Sequence, residues 1–430
     1  MSGDGEWSLI RISDILKESR IQGSRGSTAR KITVKLYGKG VVPGRAFGGS
    51  ENTLYFRRSA GQFIYSKLDF LNGAFGIIPE SLDGFESTAD LPAFDFKADI
   101  EKSWLIDTVV RPEFYKRFKY SAIGSRKANR VPVDEFLATR LSLPPRPEQL
   151  AIADVLQSVE NYICRTRDLL KSLADAKFAV MHDLLTRGMR RDAVPLQPLP
   201  ERWVLGRVAG DVTDIPVDWK LVRLTSVAKL ESGHTPDRKQ PHYWDGDIPW
   251  ISLQDADALG KRTISETAET IGAEGLKKSS ARMLPARTVV FQRTANVGLC
   301  SIMEREMCTS QHFANWVCGP ELLPEYLQQV FRHMQREWLR LVAGSVLPDI
   351  YMPTFKHLQI FLPPVKEQER IAETGALFDL RIELEGDALA RLQEVRAALA
   401  QELLSGRVRL PASMVARFAN EQAQPMAASV

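Results

Sequence analysis

The sequence predicts an α+β protein: two mixed α/β globules separated by two long antiparallel coiled-coil helices, the whole a pseudo-two-fold internal repeat. Three observations predict it. Residues 143–190 and 362–409 align at a constant offset of 219 without a gap, sharing Leu-Pro-Pro, then Glu-Gln, Ile-Ala and a late Leu-Leu. The opening GEWSLIRISDILKES recurs as VDWKLVRLTSVAKLES, with Trp7, Leu9, Arg11 and Lys17 matching Trp219, Leu221, Arg223 and Lys229. Downstream of each Pro-Pro pair, apolar residues follow a 4-3 spacing, which is the seam of a coiled coil rather than the wider stripe of a surface helix.

Taken in order, residues 1–142 form the first globule. Short apolar runs at 53–56, 62–65 and 76–78, set between Gly and Pro, predict strands mixed with short helices. Pro144-Pro145 can neither continue a ladder nor sit inside a helix, so they mark the join to a central helix, residues 143–190. Its seam runs Ile152, Leu156, Val159, Ile163, Thr166, Leu170, Leu173, Lys177, Val180 and Leu184. A polar linker at 191–202, rich in proline, leads to the second globule at 203–361. The second helix, 362–410, repeats the seam from Ile371 to Leu403, with Gly375 predicting a less regular start. Residues 411–430 read as a frayed tail. Further matches join RPEFYKRF at Arg111 to LPEYLQQVF at Leu323, and GSRKANRVPVDEF to GSVLPDIYMPTF.

The seam also predicts a register. Aligned end to end, the antiparallel helices set four polar residues, Arg396, Thr166, Glu385 and Lys177, against apolar ones. Sliding by one heptad places Leu173 opposite Leu389, Lys177 opposite Glu385 and Thr166 opposite Arg396, and is the expected arrangement.

Composition narrows the function. The 430 residues are 44% hydrophobic and 26% charged, as in ordinary folded proteins, with no apolar run long enough for a membrane span and no signal-peptide pattern at the start. Four cysteines without a CxxC pairing predict free thiols, no structural zinc and a cytoplasmic setting. There is no phosphate-binding GxxxxGK[ST] loop, no HExxH, and no assembled nuclease or amino-methyltransferase motif, so no catalytic or metal residue is assigned.

Nucleic-acid signals are stronger. Residues 1–142 carry 22 Lys and Arg against 17 Asp and Glu, and the surplus is concentrated in two loops. RIQGSRGSTARKITVKLYGKG offers Arg20, Arg25, Arg30, Lys31, Lys35, Tyr37 and Lys39. GSRKANR offers Arg126, Lys127, Asn129 and Arg130. Glycine lets backbone approach a phosphate, while an Arg fork can read guanine O6 and N7. The second globule offers Thr235, Arg238, Lys239 and Tyr243, then Lys277, Lys278 and Arg282, then Gln292, Arg293 and Asn296. Trp244 and Trp250 are assigned to the core, and the bland alternative for each basic loop is a solvated surface.

The two LPPxxEQxxIA signatures (residues 143–153 and 362–372), each ahead of a long helix, resemble the specificity subunit of a type I restriction-modification system. SGHTPDRKQPHYWDGDIPWIS resembles the opening of that family's target-recognition domain. Thr309-Ser310-Gln311-His312-Phe313 resembles its Thr-Asn-Gln segment, with Ser in place of Asn. In the first half, YSKLDFLNGAFGIIPESLDGF and GSRKANRVPVDEFLATRLSLPP resemble a variant of the same domain. The resemblance implies a non-catalytic ruler. Each target-recognition domain would read half of a bipartite site in double-stranded DNA, asymmetric here because the two domains differ. Two modification subunits would dock on the helices and methylate adenine N6, and restriction subunits would add cleavage. S-adenosylmethionine, ATP and magnesium would belong to those partners, with no cofactor on this chain. The alternatives are a recognition subunit for a fused nuclease-methyltransferase, and a coiled-coil scaffold without DNA. On this reading Arg126→Ala and Arg130→Ala weaken duplex binding without unfolding the chain. Band shifts across a salt series check it: a base-reading Arg costs about 1–3 kcal/mol, and a phosphate contact lowers the salt slope by roughly one.

Overall fold

The computed structural model describes residues 6–44, 52–120, 130–189, 194–199, 212–342 and 348–421. It falls into two compact units, Met1–Thr166 with Ala388–Val430, and Arg167–Asp387. Each unit therefore combines one globule with a stretch of both long helices. These helices are Arg146–Arg187, of 42 residues, and Val365–Ser405, of 41. Each begins just after its Pro-Pro pair and ends just before a glycine in left-handed backbone, Gly188 at φ 71° and Gly406 at φ 72°. Only glycine adopts that conformation without strain, which makes it the usual helix stop. Leu143 and Leu362, which the repeat assigned to the helices, instead end strands.

In the first unit, strand Ser8–Arg11 pairs antiparallel with Arg140–Leu143, Ser8 opposite Leu143, so the globule is closed by its own two ends. Between them lies an antiparallel four-stranded sheet in the order Leu16–Ser19, Ala93–Phe96, Phe63–Tyr65, Phe75–Ile77. A second sheet joins Gln22–Arg25, Leu54–Arg57 and Glu86–Ser87. Phe63, Tyr65, Phe70, Phe75, Phe94, Phe114 and Phe136 fill the core. Ile152 and Leu156 of the central helix join the same cluster, together with Ala400, Leu403 and Leu404 of the second helix.

The second unit repeats the closure. Lys220–Arg223 pairs with Gln359–Leu362, Lys220 opposite Leu362. Its main sheet has five strands, ordered Ala228–Ser232, Phe313–Cys318, Val289–Gln292, Cys300–Met303, Thr263–Ile264. The last two run parallel. Trp219, Phe291, Trp316, Tyr326, Phe331 and Trp338 pack with Met181 and Leu185 of the central helix and Ile371 of the second. Within the expected linker, Leu196–Pro198 is a strand paired with Asp214–Pro216. The expected frayed tail contains a helix, Ala412–Glu421, with Met414, Val415 and Phe418 half-buried. Its apolar residues fall at i, i+1 and i+4, one face of a helix.

The Glu-Gln of each signature joins these parts. Gln149 donates to Pro144 O and accepts from Glu101 N, both at 2.9 Å; Gln368 donates to Pro363 O and accepts from Leu323 N at the same distance. Each glutamine thus spans the Pro-Pro bend and holds the start of a globule helix, Lys102–Val109 or Pro324–His333. This makes Lys102–Val109 the counterpart of Pro324–His333, correcting the match of RPEFYKRF to LPEYLQQVF: a shared proline at a helix start marks the cap, not the packing position. Each glutamate accepts an indole N–H at 3.1 Å, Glu148 from Trp7 and Glu367 from Trp219. Its remaining lone pairs hold the end of the opposite long helix, Glu148 through Arg409 and Glu367 through Met189 N. All four signature side chains are buried.

The slid register is not observed. Lys177 meets Asp379 at 2.5 Å, not Glu385, and Arg396 lies 2.7 Å from Glu160, not beside Thr166. Both pairs are within one residue of the end-to-end alignment. The two are also the same pair, since Lys177 and Arg396, like Glu160 and Asp379, are repeat equivalents. A third helix in each unit supplies further partners that a two-helix seam lacks. Asp107 on Lys102–Val109 takes Arg396 at 3.0 Å, and on Pro324–His333 Arg332 and Gln329 reach Asp379 at 3.0 and 2.8 Å. Polar seam residues turn aside to these partners instead of opposing apolar ones. Nor is the second helix irregular at Gly375. A Cβ there would lie 2.5 Å from the Gln329 amide, so the glycine admits the side chain that bonds Asp379.

The two carboxylates titrate oppositely. Burial pushes Asp379 up, but the charges of Arg332 and Lys177 and hydrogen bonds from Gln329 and Lys177 outweigh it and hold it below the usual carboxylate range. At Asp107 burial prevails over Arg396 and the pKa is raised. A depressed folded pKa contributes stability above the unfolded value of about 4, lost as pH falls through the folded pKa. Asp379→Asn should therefore destabilise the second unit by about 3 kcal/mol at pH 7, a difference from wild type that shrinks below about pH 4. Asp107→Asn should cost only about 1 kcal/mol. Urea midpoints across pH measure both.

Candidate nucleic-acid interface

In the first unit, strands Ile32–Val34 and Val41–Pro43 form a hairpin whose turn is closed by Lys35 N donating to Gly40 O at 2.9 Å. Tyr37 sits at φ 57° and is 63% exposed. Its N–H and that of Gly38 donate to Asn72 O and Gly73 O at 2.9 and 2.8 Å, so the tip is fixed in place. Lys35, Tyr37 and Lys39 therefore stand outward on a pinned turn. Arg30 lies 4.6 Å over the Phe85 ring, and Lys31 5.8 Å over Tyr55. Arg25 ends its strand exposed. Arg20 pairs with Glu18 at 2.9 Å, and that hydrogen bond raises its pKa. Arg130 pairs with Asp90 at 3.1 Å, while Arg126, Lys127 and Asn129 lie outside the described residues.

Sequence reasoning passed over Arg57, Lys116, Lys119 and Tyr120, all exposed, the last by 93%. Arg57 was findable by strand alternation: adjacent Arg57 and Arg58 must face opposite sides. Arg58 faces inward, 1% exposed, and donates to Ser87 Oγ, Ser19 O and Leu91 O. Burial lowers its pKa to about 10.

In the second unit, three loops converge. His234 N donates to Thr309 O at 2.9 Å, and Arg293 N to His312 O at 3.0 Å. Thr235 Oγ1 bonds the Gln311 amide at 2.5 Å. Gly233 permits the approach, since a Cβ there would run into Thr309 and Ser310 backbone. Thr235 is half-buried at this junction, whereas Gln311 and Asn296 are exposed, as is Tyr351 by 58%. Gln311 and Tyr351 had not been singled out, although the Thr-Ser-Gln segment itself had.

Other candidates serve the fold. Gln292 is fully buried, its amide donating to Thr294 O. Arg293 holds Asp349 at 2.7 and 2.9 Å and donates twice to Gln311 O, which orients the junction from beneath. Arg238 stacks 3.6 Å over Trp244 and forks onto Glu269 at 2.5 and 2.8 Å, pinning the opening loop. Trp250 is buried, as assigned. Arg282 pairs with Glu231, where burial is outweighed by Lys229 and Arg282 and the pKa falls. Lys239, Lys277 and Lys278 are exposed, and Tyr243 is half-buried beside His242.

The arrangement suits recognition. It offers guanidinium forks, amides and aromatic rings on rigid turns, the donor and acceptor set that reads groove edges and phosphates. Burial raises the thiols of Cys308 and Cys318 to about 11 and about 12, so neither is a thiolate at neutral pH. Among the described residues no three side chains are grouped to hold a metal ion.

Residues 216–394 match the type I restriction modification DNA specificity domain. The specificity subunit of type I restriction enzyme MjaIX from Methanocaldococcus jannaschii is 30% identical over 184 residues, 42% of this chain and 43% of that relative's length. The specificity subunit of type I restriction enzyme HindI from Haemophilus influenzae is 20% identical over 401 residues, covering 81% and 86%. A chain from a structure describing complex assembly and conformational transition of the type I R-M system aligns over 93% of this chain and 97% of its own. Its TM-score is 0.55 at 16% identity, a likeness of fold. Residues 216–394 therefore match a type I restriction modification DNA specificity domain, and the chain as a whole is similar to specificity subunits of type I restriction enzymes.

Arg293→Ala should lower the stability of the second unit by about 3 kcal/mol, since it removes the cation from half-buried Asp349 and the donor from the Gln311 and Ile350 carbonyls. Lys277→Ala should stay within about 0.5 kcal/mol. Thermal unfolding separates the two.

Proposed function

We propose that this chain is the non-catalytic DNA-recognition subunit of a type I restriction-modification complex, reading an asymmetric bipartite site. One observation carries the reading: two unlike globules are closed and clamped in the same way, each by a strand pair ending at Leu-Pro-Pro and by a Glu-Gln pair. Unlike surfaces on a like frame suit the reading of two different half-sites. The pinned hairpin of the first globule and the Thr235–Gln311 junction of the second are the faces that would meet base edges. Exposed Lys35, Lys39, Lys277 and Lys278 would meet phosphates, supplying the salt-dependent part of affinity.

The long helices would set the spacer and carry two modification subunits, with restriction subunits joining for cleavage. Chemistry would reside in those partners: adenine N6 methylation from S-adenosylmethionine on a flipped base, and ATP- and magnesium-dependent cleavage. This chain's part is to bind and position. Among the described residues no helix is long and apolar enough to cross a membrane.

Exchanging residues 1–142 for the first domain of another family member should change one half-site and leave the other intact. Mapping of methylated adenines in a host carrying the hybrid reads this directly, and a change in both half-sites overturns the two-module reading.

A further inference from the structure

Two arginines of the first globule converge on one point with no acidic partner among the described residues. Gly84 has φ 69°, and a Cβ on it would lie 3.4 Å from Arg57 Nη2 and 3.6 Å from Arg30 Nη2. Both side chains belong to exposed residues, and neither forms an ion pair among the described residues. Each is nonetheless oriented. Arg30 stacks over Phe85, the residue after Gly84, and Arg57 ends strand Leu54–Arg57 with Glu86 as its cross-strand neighbour. The nearby carboxylates are engaged elsewhere. Glu86 accepts from Ser24 N at 3.1 and 3.2 Å and from Ser24 Oγ at 2.5 Å, and Asp83 accepts from Ala60 N at 2.9 Å.

Two guanidinium groups brought together with their neighbouring acids turned away repel each other, unless an anion lies between them. Forked donors match phosphate oxygens. Residue 84 is glycine for the turn, whose φ of 69° L side chains rarely adopt, and a Cβ there would lie in ordinary contact with both guanidinium groups. The basic hairpin lies close by, since Gly44 approaches Lys31, the residue after Arg30.

We infer that Arg30 and Arg57 form a clamp for a single backbone phosphate of duplex DNA, which rests on the functional reading above. The clamp anchors the first globule on the duplex and carries no sequence information, since every nucleotide presents the same phosphate.

The test uses the full-length chain in complex with its modification subunits, and duplexes with and without the recognised site. Wild type, Arg57→Gln, Arg30→Gln and the double variant are titrated across a salt series, with far-ultraviolet circular dichroism to check folding. Each single variant should weaken both duplexes alike and reduce the salt slope by roughly one unit. The double variant should lose little more than a single one, because both side chains hold one phosphate. Arg57→Lys should keep the slope but bind more weakly. Unchanged affinity and slope in both single variants overturns the clamp. A loss confined to the recognised site with the slope intact means base reading and overturns the phosphate assignment. A loss of about two slope units in the double variant means two separate phosphates and overturns the sharing. Protection of Arg57 from phenylglyoxal by inorganic phosphate but not by duplex makes it a free-anion site, which also overturns the proposal. If wild type binds no duplex, the functional reading fails and the clamp with it; wild-type binding with unaffected variants leaves the functional reading standing and removes the clamp alone.

Discussion

Everything in this fold depends on a buried carboxylate beside a proline bend. Glu148 and Glu367 each reach an indole of their own globule and the far end of the opposite long helix. A carboxylate accepts from several donors at once, and few other side chains could satisfy three segments from one position. The adjoining glutamines supply both a donor and an acceptor, which is what a bend with an orphaned carbonyl and a free helix N–H requires. Remove the pair and the globule, its helix and the opposing helix lose their common anchor.

The periodic and repeated features were legible in the sequence. The 219-residue offset located both clamps, and Trp7 with Trp219 were already aligned by the repeat. Strands near residues 54–57, 63–65 and 75–77 followed from short apolar runs. Register was not legible, because Asp107, Gln329 and Arg332 come from globule helices that no pairwise seam contains. Gly375 misled for a related reason: propensity treats glycine as a local cost, whereas here Gln329 requires its missing Cβ.

Candidate contacts divided along similar lines. Lys35, Tyr37 and Lys39, singled out by residue type as DNA contacts, stand outward, since a Gly-rich turn has nowhere else to put them. It could not tell Arg293 from Lys277. Both are basic and both sit in loops, yet one is anchored to Asp349 and a backbone carbonyl and the other ends a short helix in solvent. The difference lies in partners more than 15 residues away in sequence, invisible to local pattern.

The first unit is discontinuous, and this orders its assembly in time. Its core needs Ala400, Leu403 and Leu404, and its Glu148 needs Arg409, yet these emerge from the ribosome long after Ile152 and Leu156. The second unit, drawn from one continuous stretch, has all its parts sooner. The N-terminal globule therefore waits, part of its apolar surface uncovered, until residues 400–409 have been made. A nonsense or frameshift lesion near residue 400 would strike first at the domain formed by residues 1–142.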